Sequence, residues 1–354
     1  MAALPSPQRR LMSKRKLTKR QTWRVEKIQE EKAKRAQQKE SGIAEQLNAG
    51  ELGDERQGQV IAHFGTQVEI ESSADGAQRY RCYLRANLGS LVTGDRVVFR
   101  PGAEHNGVHS GVVETVLERS SELSRPNPYN EIKPVAANID FIVLVIAPEP
   151  EAHSNLIDRY LVAAENCNIE PIILLNKTDL LDERNSARFD QMLGAYEALG
   201  YRTLRVCSKE DSSLSELKEF LNGRISVFVG QSGVGKSSLI ATLLPGEELK
   251  VGALSENTRK GKHTTTTARL YHFPAGGDLI DSPGIREFGL WHMSEDEVLY
   301  GFRELRPLAG YCRFRDCAHG QEPGCAIRTA VEEGKVQPER FQSYQRILQT
   351  LTEL

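Results

Sequence analysis

Three short segments of this chain carry residue types and spacings that suit phosphate and purine chemistry. Gly230-Gln231-Ser232-Gly233-Val234-Gly235-Lys236-Ser237, continued by Ser238, follows the apolar run Val227-Phe228-Val229 and opens a helical pattern. Glycines at these positions let backbone N–H groups curl around phosphates, and the helix start turns its positive end toward them. Lys236 is placed to reach β- and γ-phosphates, and the Ser237 hydroxyl to ligate Mg²⁺. Asn176-Lys177-Thr178-Asp179 follows another apolar run. The Asp179 carboxylate can accept both N1–H and the 2-amino group of guanine, donors that adenine lacks on that edge. Asn176 would hold the base and its loop, and the Lys177 stem would lie across the ring. Asp281-Ser282-Pro283-Gly284 ends a third apolar run. Asp281 suits the water shell of Mg²⁺, and the Gly284 N–H suits a γ-phosphate.

The order of these segments is informative. In an ordinary Ras-like G domain the phosphate loop comes first and the base reader near the end; here the base reader comes first, the phosphate loop second and the γ-phosphate segment last. That order implies a circularly permuted G domain. Cys207-Ser208-Lys209, after the apolar stretch at Thr203–Val206, resembles the serine-alanine-lysine loop that supports the base, with cysteine for serine and serine for alanine. Between phosphate loop and Asp281 lies Thr258-Arg259-Lys260-Gly261-Lys262-His263-Thr264-Thr265-Thr266-Thr267, polar and glycine-containing as a nucleotide switch is. One of its four consecutive threonines is expected to ligate the metal. Ile285 stands where many GTPases place a water-orienting glutamine. Free hydrolysis is therefore expected to be slow, and His263 is the candidate to orient water.

A second constellation lies near the C-terminus. Cys312-x4-Cys317-x-His319-x5-Cys325 offers three thiolates and one imidazole, a complete tetrahedral set for one structural zinc with no open position for catalysis. Arg313, Arg315 and Arg328 lie close by and would give that knot a basic face. The other cysteines, Cys82, Cys167 and Cys207, sit singly in apolar runs and read as core thiols of a reducing compartment.

The elements that must position these residues fall into successive patterns. Short strands with turns fill residues 54–125 and suggest a small antiparallel barrel; periodicity does not separate an OB-fold, which commonly binds oligonucleotides, from an SH3-like barrel. Arg125-Pro126-Asn127-Pro128-Tyr129 reads as a linker. Residues 126–300 then alternate strands and helices, the pattern of a doubly wound α/β sheet. They include the apolar run Ile139–Ile146 and an amphipathic helix Ser154–Cys167 with Ser154 as its N-cap. Residues 301–354 hold the Cys/His knot and a last helix at Pro338–Leu351.

Charge is unevenly shared. Residues 1–40 carry 13 Lys/Arg against 4 Glu, a net of +9, so the rest of the chain carries −11. A basic arm (residues 1–53) on an acidic body suits attachment to nucleic acid. Trp23 and the stretch Arg24–Lys39 are expected to order on RNA. No apolar run is long enough to span a bilayer. The first residues hold no apolar signal segment, so cytoplasmic residence without membrane attachment is expected.

Permuted G motifs, preceded by an OB-like barrel and followed by this Cys₃His knot, resemble the RsgA/YjeQ family of bacterial small-subunit-dependent ribosome-biogenesis GTPases. The resemblance runs from about residue 54 to the end and includes Gly230–Ser238, Lys262–Thr267, Asp281–Phe288 and the zinc ligands. It implies a monomer that cycles GTP to GDP with Mg²⁺, binds the 30S subunit and its 16S rRNA late in maturation, and hydrolyses GTP faster there. It also implies that the barrel and zinc segments contact rRNA. Members carry a hydrophobic residue where Ile285 stands and a histidine where His263 stands.

Overall fold

Alternation of apolar and polar residues builds the first sheet. In the computed structural model, which describes residues 52–74, 77–85, 88–105, 107–126, 131–246, 268–281 and 293–352, five strands form it. They are β1 (Arg56–His63), β2 (Gln67–Ser72), β3 (Arg79–Leu84), β4 (Arg96–His105) and β5 (Val108–Val116). Val60, Val68, Ile70, Tyr80, Cys82, Val97, Phe99 and Val113 point inward as a separate small core. The strand order is β1-β2-β3-β5-β4, β4 returns to pair with β1, and β3 and β5 run parallel. This is the closed five-stranded OB arrangement, which decides between the two barrels the sequence allowed. Gly58 permits the closure: a Cβ there would lie 2.5 Å from Ile70 Cγ2 and 2.7 Å from the Glu71 carbonyl oxygen.

The expected linker at Arg125–Tyr129 is corrected at its first two residues, while Asn127, Pro128 and Tyr129 lie outside the described residues. Arg125 and Pro126 belong to β6 (Glu122–Pro126), which pairs antiparallel with β7 (Ile132–Ala137), with Pro126 opposite Ile132. Pro126 and Pro134 are tolerated because the hairpin is a separate two-stranded sheet, all edge.

Continuous apolar runs give the central sheet. β8 (Phe141–Ile146), β9 (Glu170–Leu175), β10 (Arg202–Arg205), β11 (Ile225–Val229), β12 (Arg269–His272) and β13 (Asp278–Asp281) lie in the order β10-β9-β8-β11-β13-β12. Every pairing is parallel except β12 with β13. All six residues of β8 and all five of β11 are buried, as strands covered on both faces must be. Helices α1 (Ser154–Asn166) and α2 (Ser186–Ala198) cover one face through Ile157, Leu161, Phe189 and Leu193. Helices α3 (Ser215–Leu221) and α4 (Lys236–Leu243) cover the other through Leu217, Leu221, Leu239 and Leu243. Ser154 does not cap α1. His153, at φ −86° and ψ 140°, is the last non-helical residue, Ser154 is the first helical one, and no side chain caps the end.

The chain runs from β8 outward to β10, then returns to place β11 on the other side of β8. Connections therefore diverge between β8 and β11, the position at which open α/β sheets bind ligands beyond their strand ends. The β12 edge of the sheet continues into the barrel through β1, giving eleven strands in one sheet.

Among the described residues three further α-helices follow: α5 (Glu295–Tyr300), α6 (Ala326–Glu332) and α7 (Pro338–Thr352). α5 starts in a reciprocal capping box between Ser294 and Glu297. Val298, Phe302, Leu305, Ile327, Tyr344 and Ile347 join the same core as α1 and α2, so the C-terminal segment packs directly on the central sheet's helical layer. A buried charge cluster pins it there. Arg340 of α7 donates to Asp158 of α1 and, at 2.6 Å, to Glu304; Tyr196 Oη donates to Asp158 at 2.7 Å. Arg340 also lies over the Phe302 ring at 4.5 Å. No helix among the described residues is long and apolar enough to cross a membrane.

Candidate functional site

The phosphate-loop segment leaves the end of β11 and closes over the sheet's dividing point. Gly230 adopts φ 134°, and a Cβ there would lie 2.3 Å from the Val145 carbonyl of β8, so glycine is required by both torsion and space. Val234 is fully buried and anchors the loop in the α3/α4 core. Gly235, at φ 91°, brings the backbone so close to Asn176 that a Cβ would meet its Nδ2 at 2.5 Å. Beyond it α4 starts at Lys236, with Ser232, Gly233, Ser237 and Ser238 exposed around the opening. The Lys236 ammonium donates to the carbonyls of Gly230 and Gln231, both at 2.6 Å, which holds it inside the loop's curve. Gln231 Nε2 donates to the Pro150 carbonyl at 3.1 Å and ties the loop to the β8–α1 connection.

Asn176 is the node of the site. It is 0% exposed, its backbone N–H bonds the Ile146 carbonyl, and its amide Nδ2 donates to the Val234 carbonyl at 3.0 Å. Its Oδ1 accepts from the Ser208 N–H at 3.2 Å. One side chain thus fastens three loops: base reader, phosphate loop and the 207–209 segment. Lys177, in the left-handed conformation at φ 58°, lies over the phosphate loop and donates to the Gly233 carbonyl at 2.7 Å and the Glu149 carbonyl at 2.8 Å. The Thr178 N–H bonds the Val206 carbonyl, and a short 3₁₀ turn from Thr178 presents Asp179.

The Asp179 carboxylate meets the Lys209 ammonium at 2.5 Å and the Cys207 thiol at 3.4 Å. The hydrogen bond from Lys209 holds its carboxyl below the ordinary range, so Asp179 is an ionised acceptor at neutral pH. Cysteine in the serine position therefore still donates toward the base reader. Cys207 is buried and its N–H bonds Ser213 Oγ, while Thr242 Oγ1 of α4 donates to the Ser208 carbonyl at 3.1 Å.

Asp281 is the last residue of β13, opposite Arg269 of β12, at the same end of the sheet as the other loops. Gly284, Ile285, His263 and the consecutive threonines Thr264–Thr267 lie outside the described residues, as does the basic arm with Trp23. The sequence reading missed the carbonyl acceptors of Glu149 and Pro150, the Val145 carbonyl against which Gly230 packs, and the hydroxyls of Ser213 and Thr242. Backbone acceptors leave no residue signature, and Thr242 is legible only as the residue one helical turn beyond Ser238.

The Cys/His knot is a second, separate centre. Donor atoms of Cys312, Cys317, His319 and Cys325 all lie within 4.8 Å of one another. Cys312 Sγ and Cys325 Sγ are 3.9 Å apart, and His319 Nδ1 is 3.5 Å from the first and 3.4 Å from the second. Zinc bonds of about 2.3 Å to sulfur and 2.0–2.1 Å to nitrogen set tetrahedral donors about 3.5–3.8 Å apart. The donor set and its spacing therefore fit one zinc ion. Nearby, Tyr311 and Phe314 are exposed at 78% and 44%, and Arg313 lies over the Phe314 ring at 5.6 Å.

Comparisons with known proteins agree with this geometry. A model of the RsgA GTPase family matches residues 116–291. The chain is 57% identical, over 97% of its length and 99% of the relative's, to the Small ribosomal subunit biogenesis GTPase RsgA of Azotobacter vinelandii. It is 58% identical, with the same shares covered, to the protein of that name in Pseudomonas aeruginosa. Among solved structures it resembles YjeQ from Thermotoga maritima, with TM-score 0.69 and 31% identity over 84% of this chain and 99% of that one. It also resembles YloQ, a circularly permuted GTPase, with TM-score 0.66 and 28% identity over 85% of this chain and 96% of that one. With the 176–179, 207–209 and 230–235 loops and Asp281 gathered at one sheet end, and with relatives this similar along nearly the whole chain, the protein belongs to the RsgA GTPase family and is a GTP hydrolase.

Proposed function

We propose that this GTPase binds the small ribosomal subunit late in its maturation and hydrolyses GTP faster when bound to it. The observation that carries the reading is the identity of 57–58% over 97% of the chain to relatives named for small-subunit biogenesis. In this reading GTP sits across the β8/β11 dividing point. Asp179 reads guanine with Lys177 along the base, Thr178 in the same loop and Cys207-Ser208-Lys209 behind it. Gly230–Gly235 supply N–H groups to the phosphates, and Lys236 shares its ammonium between them as charge develops. Ser237 and Asp281 would hold Mg²⁺, which neutralises phosphate charge when bound, with Ser238 beside them. Gly284 would donate to the γ-phosphate and His263 would orient the attacking water. Cys312, Cys317, His319 and Cys325 would hold one structural zinc.

Residues 54–125, 126–300 and 301–354 then act as an RNA-binding barrel, a permuted G domain and a zinc domain, with the 1–53 arm as a further rRNA contact. On the barrel, Phe64 is 41% exposed beneath the Arg81 guanidinium at 4.6 Å, a pairing that suits an unstacked base. The chain works as a cytoplasmic monomer, and hydrolysis releases it from the matured particle.

Phosphate release from GTP by the purified protein alone, with small subunits and with large subunits tests this. Stimulation by small subunits only is expected. Stimulation by large subunits instead would reassign the partner, and equal slow turnover in all three would leave an RNA-binding switch without subunit-triggered hydrolysis. Metal analysis of the same preparation should return one zinc per chain, lost in Cys317→Ser.

A further inference from the structure

Among the described residues, β12 is the strand that stands between Asp281 of β13 and barrel strand β1 in the sheet order. Arg269 stands in the middle of that path: its backbone pairs with Asp281 of β13 on one side and with Ala62 of β1 on the other. Among the described residues the β1–β12 junction is this one pair wide. Charged side chains reinforce the narrow ladder. Glu69 of β2 lies 3.5 Å from Arg269, and Glu71 of β2 lies 2.8 Å from His272 Nε2. His272 Nδ1 is 2.6 Å from Asp278 of β13, so one imidazole bonds a barrel carboxylate and a central-sheet carboxylate together. The barrel turn closes the same seam. Thr93 Oγ1 donates to the Ala268 carbonyl at 2.9 Å, and a Cβ on Gly94 would lie 2.1 Å from the Ala137 carbonyl and 3.0 Å from Ile280 Cδ1.

A strand bonded along both edges keeps its spacing of about 4.8 Å to each neighbour. Displacement of the Asp281 end of β13 is therefore passed through β12 to β1 or breaks the seam. We propose that β12 is an allosteric coupler, through which nucleotide beside Asp281 sets the stability of barrel strand β1, and that Glu69 and Glu71 hold the coupling. This rests on the GTP site assigned above. By linkage, a ligand on the barrel changes nucleotide affinity by the same factor.

The test is hydrogen exchange on the full-length protein with GDP or a non-hydrolysable GTP analogue, with binding of both measured on the same samples. In wild type, amides of Arg56–His63 should exchange about fivefold or more slowly with the GTP analogue. In the Glu69→Gln/Glu71→Gln variant both nucleotides should still bind, and the ratio should fall below about twofold. His272→Gln, a single change, is the second variant and should lower the ratio if the double variant does not fold. Bound nucleotide with no difference at β1 in wild type, or an undiminished difference in the folded variants, overturns the coupling and leaves the site assignment standing. Failure of wild type to bind either nucleotide would remove the site assignment, and the coupling with it.

Discussion

Replacing Asn176 with alanine separates the three loops of the proposed nucleotide site without removing any group proposed to contact phosphate. The substitution deletes the bonds to the Val234 carbonyl at 3.0 Å and from the Ser208 N–H at 3.2 Å. Each partner left unsatisfied in a buried place costs about 1–3 kcal/mol. Ser208 is half-buried and can recover part of that loss from water, whereas Val234 is fully buried. The combined cost is therefore about 2–4 kcal/mol. Free protein can relax its loops to admit water to the orphaned groups; nucleotide demands all three loops in register, so most of the cost falls on binding. Weakening of roughly 30- to 800-fold in the Kd for GDP follows. Titration with a fluorescent GDP in Mg²⁺ buffer reads it, with far-UV circular dichroism to confirm folding. Thr242→Val is the control: it removes a part-buried bond to the Ser208 carbonyl and the hydroxyl's exposed bond to the Ser238 carbonyl of its own helix, and should cost less than about fivefold. Asn176→Ala protein that is folded and binds GDP within threefold of wild type would refute the loop-fastening role.

Other expectations follow from the same geometry. In the proposed site, Asp179→Asn would replace the acceptor of both guanine donors by an amide that repels one of them; it should weaken guanine nucleotides by roughly 100-fold or more and tilt preference toward xanthine nucleotides, read by competition binding. Arg340→Met strands Asp158, which is 0% exposed, and Glu304 beside it without a counter-charge. It should lower stability by about 3–5 kcal/mol, seen as loss of protection in α1 and α7 by hydrogen exchange; unchanged protection would show that the cluster contributes nothing. His272 titrates at about 8 rather than 6.5, chiefly because Asp278 accepts its proton-bearing nitrogen, with Glu71 adding to the effect. Because the folded value is raised, its stabilisation is complete below pH 6.5 and fades as pH rises through about 8. Half-exposure limits the amount to about 1 kcal/mol or less. A pH series of urea midpoints should show this loss in wild type and not in His272→Gln.

Local chemistry was the legible part of this molecule. The all-apolar runs of β8 and β11 announce doubly covered strands, and glycines at 230, 233 and 235 announce a tightly curled loop with positive φ at all three, because in both cases the cause lies within a few residues. The β6–β7 hairpin escaped because Pro126 and Pro134 read as breakers, while an edge-only pair tolerates both. The α1 cap was misplaced by one residue because the chain is still extended at His153, which offers no capping side chain to mark the boundary. The nearness of the 207–209 segment to the 176–179 loop could be anticipated from its resemblance to a base-supporting loop, though not the pairing of Lys209 with Asp179. The Arg340–Asp158 pair could not: the amphipathic period of a helix tells which face is apolar and nothing of the partner that covers it.

That last pair has a bearing on how the protein is made. Asp158 and Arg340 are 182 residues apart. A ribosome adding about 5–20 residues per second needs on the order of 10–35 s to deliver the second after the first. Through that interval α1 has left the exit tunnel with the apolar and acidic face that α7 will cover still wet. The nascent protein can lay down β8, β9 and β10, yet it cannot bury Asp158 with its counter-charge until Arg340 has been added. Chains terminated early should therefore be the form that chaperones hold and proteases clear, and a stop codon just before Pro338 should lower the amount of soluble protein far more than the loss of 17 residues suggests.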